Sequence, residues 1–138
     1  MLTPKQIVST MMEKDAFSQW LGINIDKIEI GNCTLSCQVK DEMLNGFQIL
    51  HGGISYSLAD SALAFASNSY GNKCVSIETS ISHTRPAKIG DILTATCKEI
   101  NRGKTIGIYE VAITNQDQKL IAIFKGTVSI SQDTWWVI

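Results

Sequence analysis

The sequence predicts an α+β fold in which a strongly curved antiparallel β-sheet wraps around one long central helix. Three observations carry that expectation. Residues 51–71 place Ala, Leu, Phe and Tyr on every side of a candidate helix, which then needs burial on every side. Runs before and after this segment alternate apolar and polar residues with a period of two, as half-buried strands do. The separators between runs are short and rich in turn residues, and connections of that length favour antiparallel neighbours over the long crossovers that parallel ones need.

With 138 residues, 44% of them hydrophobic and 18% charged, the chain can bury a core of its own, and it shows no internal repeat or low-complexity tract. A single domain spanning 1–138 is expected. Twelve Lys and Arg against thirteen Asp and Glu leave no positive excess to draw in nucleic acid or an anionic membrane surface, so neither is an expected partner. The first residues, MLTPKQIVST, hold no signal-like apolar run, and a cytoplasmic protein is the expectation. Four cysteines without a Cys-x-x-Cys pair and only two histidines argue against a metal site; small reduced thiols packed in strands are expected instead.

Taken in order, residues 3–21 read as a helical segment. Thr3 caps, Pro4 suits the first helical position and Gln6 completes a capping box; Asp15 caps a second short piece that Gly22 ends. Ile23 and Ile25, then Ile28 and Ile30, precede a Gly31-Asn32 turn and the alternating Cys33, Leu35, Cys37 and Val39, which together describe a hairpin. Asn45-Gly46 reads first as a type I′ turn, with a site role for the Asn45 amide as the alternative. The central helix is expected over about 53–70. Four further strands follow over 74–83, 92–100, 105–114 and 120–130, separated by turns at 86–91, 101–104 and 115–118.

Asp60 is the only carboxylate or basic group between Gly53 and Gly71. On a buried helix it must be hydrogen-bonded, to Ser57 or Ser61 for example, face a solvent channel, or be used chemically. The helix begins at His51-Gly52-Gly53, where backbone N–H groups lack intrahelical partners and glycine lets a ligand come close. Such a tip can hold an anion or polarise a carbonyl that becomes negative in a tetrahedral transition state; Gly-Gly can equally be a plain turn. His51 has three readings, as general base, orienter or cap. Gly53 and Asp60 lie on one side of the helix about 10 Å apart along its axis, too far to serve one carbonyl from the same chain. The expectation is a site shared across a two-fold axis, with Asp60 acting on substrate held by Gly53 of a second copy.

The ordered set Asn45-Gly46, His51-Gly52-Gly53, Leu58-Ala59-Asp60, Asn68, Gly71, Arg85-Pro86-Ala87 and Gly90-Asp91 resembles the hotdog-fold acyl-CoA thioesterases, most closely the phenylacetate-pathway (hydroxyphenylacetyl-CoA) type. The similarity spans roughly residues 15–131. It implies hydrolysis of an aryl- or medium-chain acyl-CoA in a homodimer or homotetramer without a cofactor, with Asn45, His51, Gly53 and Asp60 as catalytic residues. It further implies a hydroxyl on the strand after the helix, either Ser76 or Thr79. The phosphates of coenzyme A call for basic groups, and Lys88, Arg102 and Lys104 in turns are the candidates. Phe47, Ile49, Leu50, Tyr56 and Leu63 could line an acyl pocket or fill the core. The rival readings are a hydratase or dehydratase on the same fold, and a non-catalytic acyl-CoA-binding module. The tail from Asp133 to Ile138, with its paired tryptophans, matches nothing in the resemblance and reads as an oligomer contact.

Overall fold

Two helices open the chain in the computed structural model, which describes residues 1–136. In α1 (Pro4–Lys14) the expected capping box is formed: Thr3 Oγ1 accepts from the Gln6 amide at 3.2 Å, and Gln6 Oε1 accepts from the Thr3 amide at 2.9 Å. Asp15 caps α2 (Ala16–Leu21) by accepting from the Ser18 amide at 2.9 Å. Gly22, at φ 71°, ends α2 in the left-handed conformation.

The strands are β1 (Asn24–Glu29), β2 (Asn32–Gln38), β3 (Asn72–His83), β4 (Ile92–Arg102), β5 (Ile106–Thr114) and β6 (Leu120–Thr134). They form one antiparallel sheet in the order β1-β2-β4-β5-β6-β3. The isoleucines of β1 change parity between Ile25 and Ile28 because the register slips there: Ile25 faces Leu35 and Ile28 faces Cys33. One extra residue at that slip turns the strand over without breaking the ladder. The turn into β2 is Ile30-Gly31, with Gly31 at φ 78°, one residue earlier than expected.

Two connections depart from the sequence reading. Residues 84–91 are not a tight turn between paired strands, since β3 lies at the sheet edge against β6 while β4 sits between β2 and β5. This stretch carries the chain across the fold and is stitched to its surroundings by Leu50 N–H to Ala87 C=O and Val39 N–H to Asp91 C=O, at 2.9 and 2.8 Å. Asn45-Gly46 is not a type I′ turn either. Such a turn needs positive φ at both central residues, whereas here the one left-handed non-glycine residue of the loop is Gln48, at φ 62°. The Asn45 side chain organises the loop instead, accepting from the amides of Phe47 and Ile49 at 2.9 and 3.4 Å.

The central helix α3 (Gly52–Asn68) starts one residue before the expected position and ends two before it. Leu58, Ala62, Leu63 and Phe65 meet Leu35, Leu93, Tyr109, Val111 and Phe124 of the sheet in one buried cluster. Each large side chain so buried contributes about 1.5–3 kcal/mol. Gly126 on β6 admits the helix: a Cβ there would stand 2.4 Å from Leu63 Cδ2. All four cysteines are free and buried, and Cys33 faces Cys97 across β2 and β4.

Burial of α3 is incomplete within one chain. Gly53, Ser57, Asp60 and Ala64 are exposed or only partly buried. They recur every three to four residues and therefore form one stripe along the helix. The paired tryptophans fold back on their own chain. Trp135 Nε1 donates to Asn68 Oδ1 at 2.8 Å, and the Trp136 ring covers Gly71, where a Cβ would be only 2.1 Å away. The last two residues of the tail, Val137 and Ile138, lie outside the described residues.

Candidate active site

His51 is the N-cap of α3, extended at φ −65° and ψ 133°, and its Nδ1 accepts from the Gly53 amide at 2.9 Å. That bond fixes the tautomer: Nδ1 holds the lone pair and Nε2 carries the proton. The Ile54 amide turns back to the His51 carbonyl at 2.9 Å. The Gly52 N–H has no acceptor among the described residues. The free, dipole-facing donor at the tip is therefore Gly52, while the Gly53 amide is already taken by the cap. This shifts the expected donor by one residue.

A cavity of about 390 Å³ opens beside Gly52 and is also lined by Asn45, Ser55, His83 and Arg85. Because Asn45 Oδ1 is occupied by the loop amides, its Nδ2 is left as a donor with no acceptor among the described residues. His83 escaped the sequence reading. Its Nε2 lies 2.8 Å from Ser55 Oγ, which also donates to the Gly52 carbonyl at 3.1 Å, and its ring sits against Gly52. The chain has two histidines, and both flank the same helix tip.

A second cavity, of about 350 Å³, lies against His51 and Gly53 and is walled by Phe17, Trp20, Met43, Leu44 and Ile54. Asp60 occupies a third, of about 230 Å³, together with Ser76, Ala64 and Val75. The serines that might have satisfied Asp60 are engaged elsewhere: Ser57 Oγ donates to the Gly53 carbonyl at 2.7 Å, and Ser61 Oγ pairs with Ser18 Oγ at 2.8 Å. The half-buried carboxylate has no hydrogen-bond partner among the described residues. Desolvation holds its pKa above the ordinary value, and the Asp15 charge adds to the shift.

One chain thus brings Asp60 and Ser76 together, and separately gathers Asn45, His51 and Gly52. Thr79 is not free in the same way as Ser76, since its hydroxyl is 2.5 Å from Tyr56 Oη. Of the acyl-pocket candidates, Ile49 and Leu50 line the Gly52 cavity, Leu63 is core and Phe47 is 86% exposed.

Arg102 proves not to be an exposed turn residue. It donates to the Ser67 carbonyl and to Tyr109 Oη, each at 2.9 Å, and stacks 3.8 Å from the Tyr70 ring centroid. The guanidinium is committed to those partners at the far end of α3, away from the Gly52 cavity of its own chain. Lys104 belongs to that far end, in a separate hollow with Asn72 and Ser131. Lys88 is exposed in the 84–91 crossover, whose Arg85 lines the Gly52 cavity itself.

This sheet, with one long helix across it, is the hotdog fold, and the sequence profile of the thioesterase superfamily matches residues 47–122. The chain belongs to that superfamily and is a thioester hydrolase by class. Among its relatives is the acyl-coenzyme A thioesterase PaaI of Escherichia coli K12, 42% identical over 88% of this chain and 86% of the relative. The solved structure of the E. coli PaaI protein superposes with a TM-score of 0.93, at 40% identity over 95% of each chain. Human acyl-coenzyme A thioesterase 13 is 30% identical over 86% of this chain and 87% of its own. A hypothetical thioesterase of Streptococcus pneumoniae, solved with coenzyme A, superposes with a TM-score of 0.83 at 25% identity, over 88% of this chain and 95% of that one.

Proposed function

We propose that the protein hydrolyses an aryl- or medium-chain acyl-CoA at a site shared by two copies of the chain. In this reading the Gly52 N–H, at the positive end of α3, receives the thioester carbonyl oxygen, and Asn45 Nδ2 donates beside it. His51 keeps the tip in shape through its cap bond. Asp60 of the second copy takes the proton of a water, whose oxygen attacks the carbonyl carbon; the C–S bond then breaks and the CoA thiolate leaves to collect a proton. The hollow of about 230 Å³ holding Asp60 and Ser76 has room for that water, which favours general-base catalysis over direct attack by the carboxylate.

The observation that carries the reading is an unpartnered, half-buried carboxylate on the same helix as an unpartnered amide, too far along the axis to meet it. Eight residues separate them, about 12 Å of helix rise. A homodimer resolves the mismatch. β3 offers it a long unpaired edge, with Val75 and Ile77 at 69% and 57% exposure beside the Asp60 hollow. A homotetramer would be a pair of such dimers. Arg85 in the wall of the Gly52 cavity, and exposed Lys88 next to its lining residue Ala87, are the basic groups this reading assigns to CoA phosphates.

Mixing two inactive variants tests the sharing. Gly52→Pro removes the N–H at a position where proline is at home, the first of the helix and after the extended His51; Gly52→Ala is its control, since either new Cβ would stand 3.1 Å from His83 Cε1 while alanine keeps the N–H. Asp60→Ala removes the base. If sites are shared, randomly mixed dimers recover about a quarter of wild-type thiol release, since half are mixed and each of those holds one intact site. No recovery on mixing defeats the shared site.

A further inference from the structure

The two cavities flanking the α3 tip differ in the charge they carry, Arg85 in one and Glu42 in the other, and a thioester has two arms to place. Beside Gly52 the walls carry the cation Arg85 and polar Asn45, Ser55 and Thr84 among apolar residues such as Ile49 and Leu50. The described walls of the cavity on the His51 side hold no lysine or arginine; Phe17, Trp20, Met43, Leu44 and Ile54 form an apolar surface together with Glu42. The anionic, amide-rich CoA arm suits the first and is repelled by Glu42 in the second. A neutral acyl arm suits the second.

Phe17 and Trp20 are 51% and 43% exposed, with ring centroids 5.7 Å apart and planes tilted by 42°. Their helix is nevertheless firmly held. Ser18, between them, is buried and bonds both Asp15 Oδ2 at 2.6 Å and Ser61 Oγ of α3 at 2.8 Å. Two large rings fixed to the catalytic helix yet left open to water, within one cavity of the reactive tip, are placed to receive an apolar group.

We infer that Phe17 and Trp20 set the acyl-group selectivity, seating a neutral aromatic or bulky apolar acyl group against their rings and, with Glu42, disfavouring short and carboxylate-bearing ones. This rests on the thioester reading of the α3 tip. It concerns two α2 residues that lie outside the stretch carrying the reactive groups.

The test compares kcat/KM for phenylacetyl-, hexanoyl-, acetyl- and succinyl-CoA in the wild type, Phe17→Ala, Trp20→Ala, their double variant and Glu42→Gln, with assembly followed by light scattering. The phenylacetyl-to-acetyl ratio should fall about 10-fold in the double variant, mainly through KM, and Glu42→Gln should raise the succinyl-to-acetyl ratio several-fold. Trp20→Phe, which keeps a ring and the fold, should retain most of the ratio. An unchanged ratio overturns the inference alone. An equal fall for every substrate together with loss of assembly also overturns it, and makes the ring pair a subunit contact. A wild type that releases no thiol from any of the four overturns the thioester reading and this inference with it.

Discussion

The two ends of α3 are built on opposite plans. At the C-terminal end the polar side chains are bonded: Asn68 Nδ2 donates to the Ala64 and Cys74 carbonyls at 2.8 and 3.2 Å, while its Oδ1 accepts from the Cys74 amide at 2.9 Å and from Trp135 Nε1 at 2.8 Å. Ser69 Oγ accepts from the Gly31 amide at 2.8 Å and donates to the Ala66 carbonyl, and Arg102 donates to Tyr109 Oη, which donates to Glu99. At the N-terminal end the Gly52 amide and Asn45 Nδ2 have nothing to bond among the described residues, and eight residues on, Asp60 is likewise alone. Unsatisfied groups cost stability and satisfied ones do not, so the contrast separates the end that anchors from the end proposed to react.

Breaking the reactive end should give the largest effect. Asp60→Asn is expected to lower kcat/KM about 1000-fold in a thiol-release assay, the scale of a lost general base. The wild-type profile should rise with pH through the ionisation of Asp60, with its acid limb above the ordinary carboxylate range because the carboxyl pKa is raised, and the variant should lack that limb. An acid limb retained in Asp60→Asn would assign the titration to another group.

The anchoring end should answer in stability and not in chemistry. Asn68→Ala strands the Cys74 amide and carbonyl, and should cost about 2–3 kcal/mol, read as a Tm lower by roughly 8 °C. The kcat per folded molecule should stay within about twofold, since no group at the α3 tip has moved. A comparable loss of kcat would mean that the two ends are coupled.

The smallest effect has the opposite sign. A carboxyl whose folded pKa is raised loses stability as pH climbs from the ordinary carboxylate range through that raised value, and keeps it below. Asp60→Asn should therefore melt about 2 °C higher than wild type at pH 7, a modest gain because water screens a half-exposed charge, and the difference should vanish in acid.

Much of this was legible in the sequence because it rests on local rules. Thr3 with Gln6, Asp15 with Gly22, and the period-two runs fixed helix starts, stops and strands. The parity change at Ile25 and Ile28 was visible as a pattern, and its cause is the register slip. His51-Gly52-Gly53 and the isolated Asp60 marked the helix on which an amide and a carboxylate stand without partners among the described residues. What escaped depended on long-range placement. Turn residues at 84–91 do not say that β4 lies three strands from β3. Arg102 looks like a free cation until Ser67 of α3 and Tyr109 across the β4–β5 hairpin close around it. Asn45-Gly46 lost its expected turn type because the Asn45 side chain bonded forward to Ile49, and the choice between the Gly52 and Gly53 amides hinged on which one the His51 ring reached.

A single hydrogen atom sets the height of the whole machine. Because Gly126 leaves a gap into which Leu63 sinks, the central rod seats as deep in its trough as the backbone of β6 permits, and Asp60 stands less than one turn from that point of contact. The elevation of the acid above the open flank of the rod is thus decided from beneath, by a residue with no side chain and no role in the chemistry.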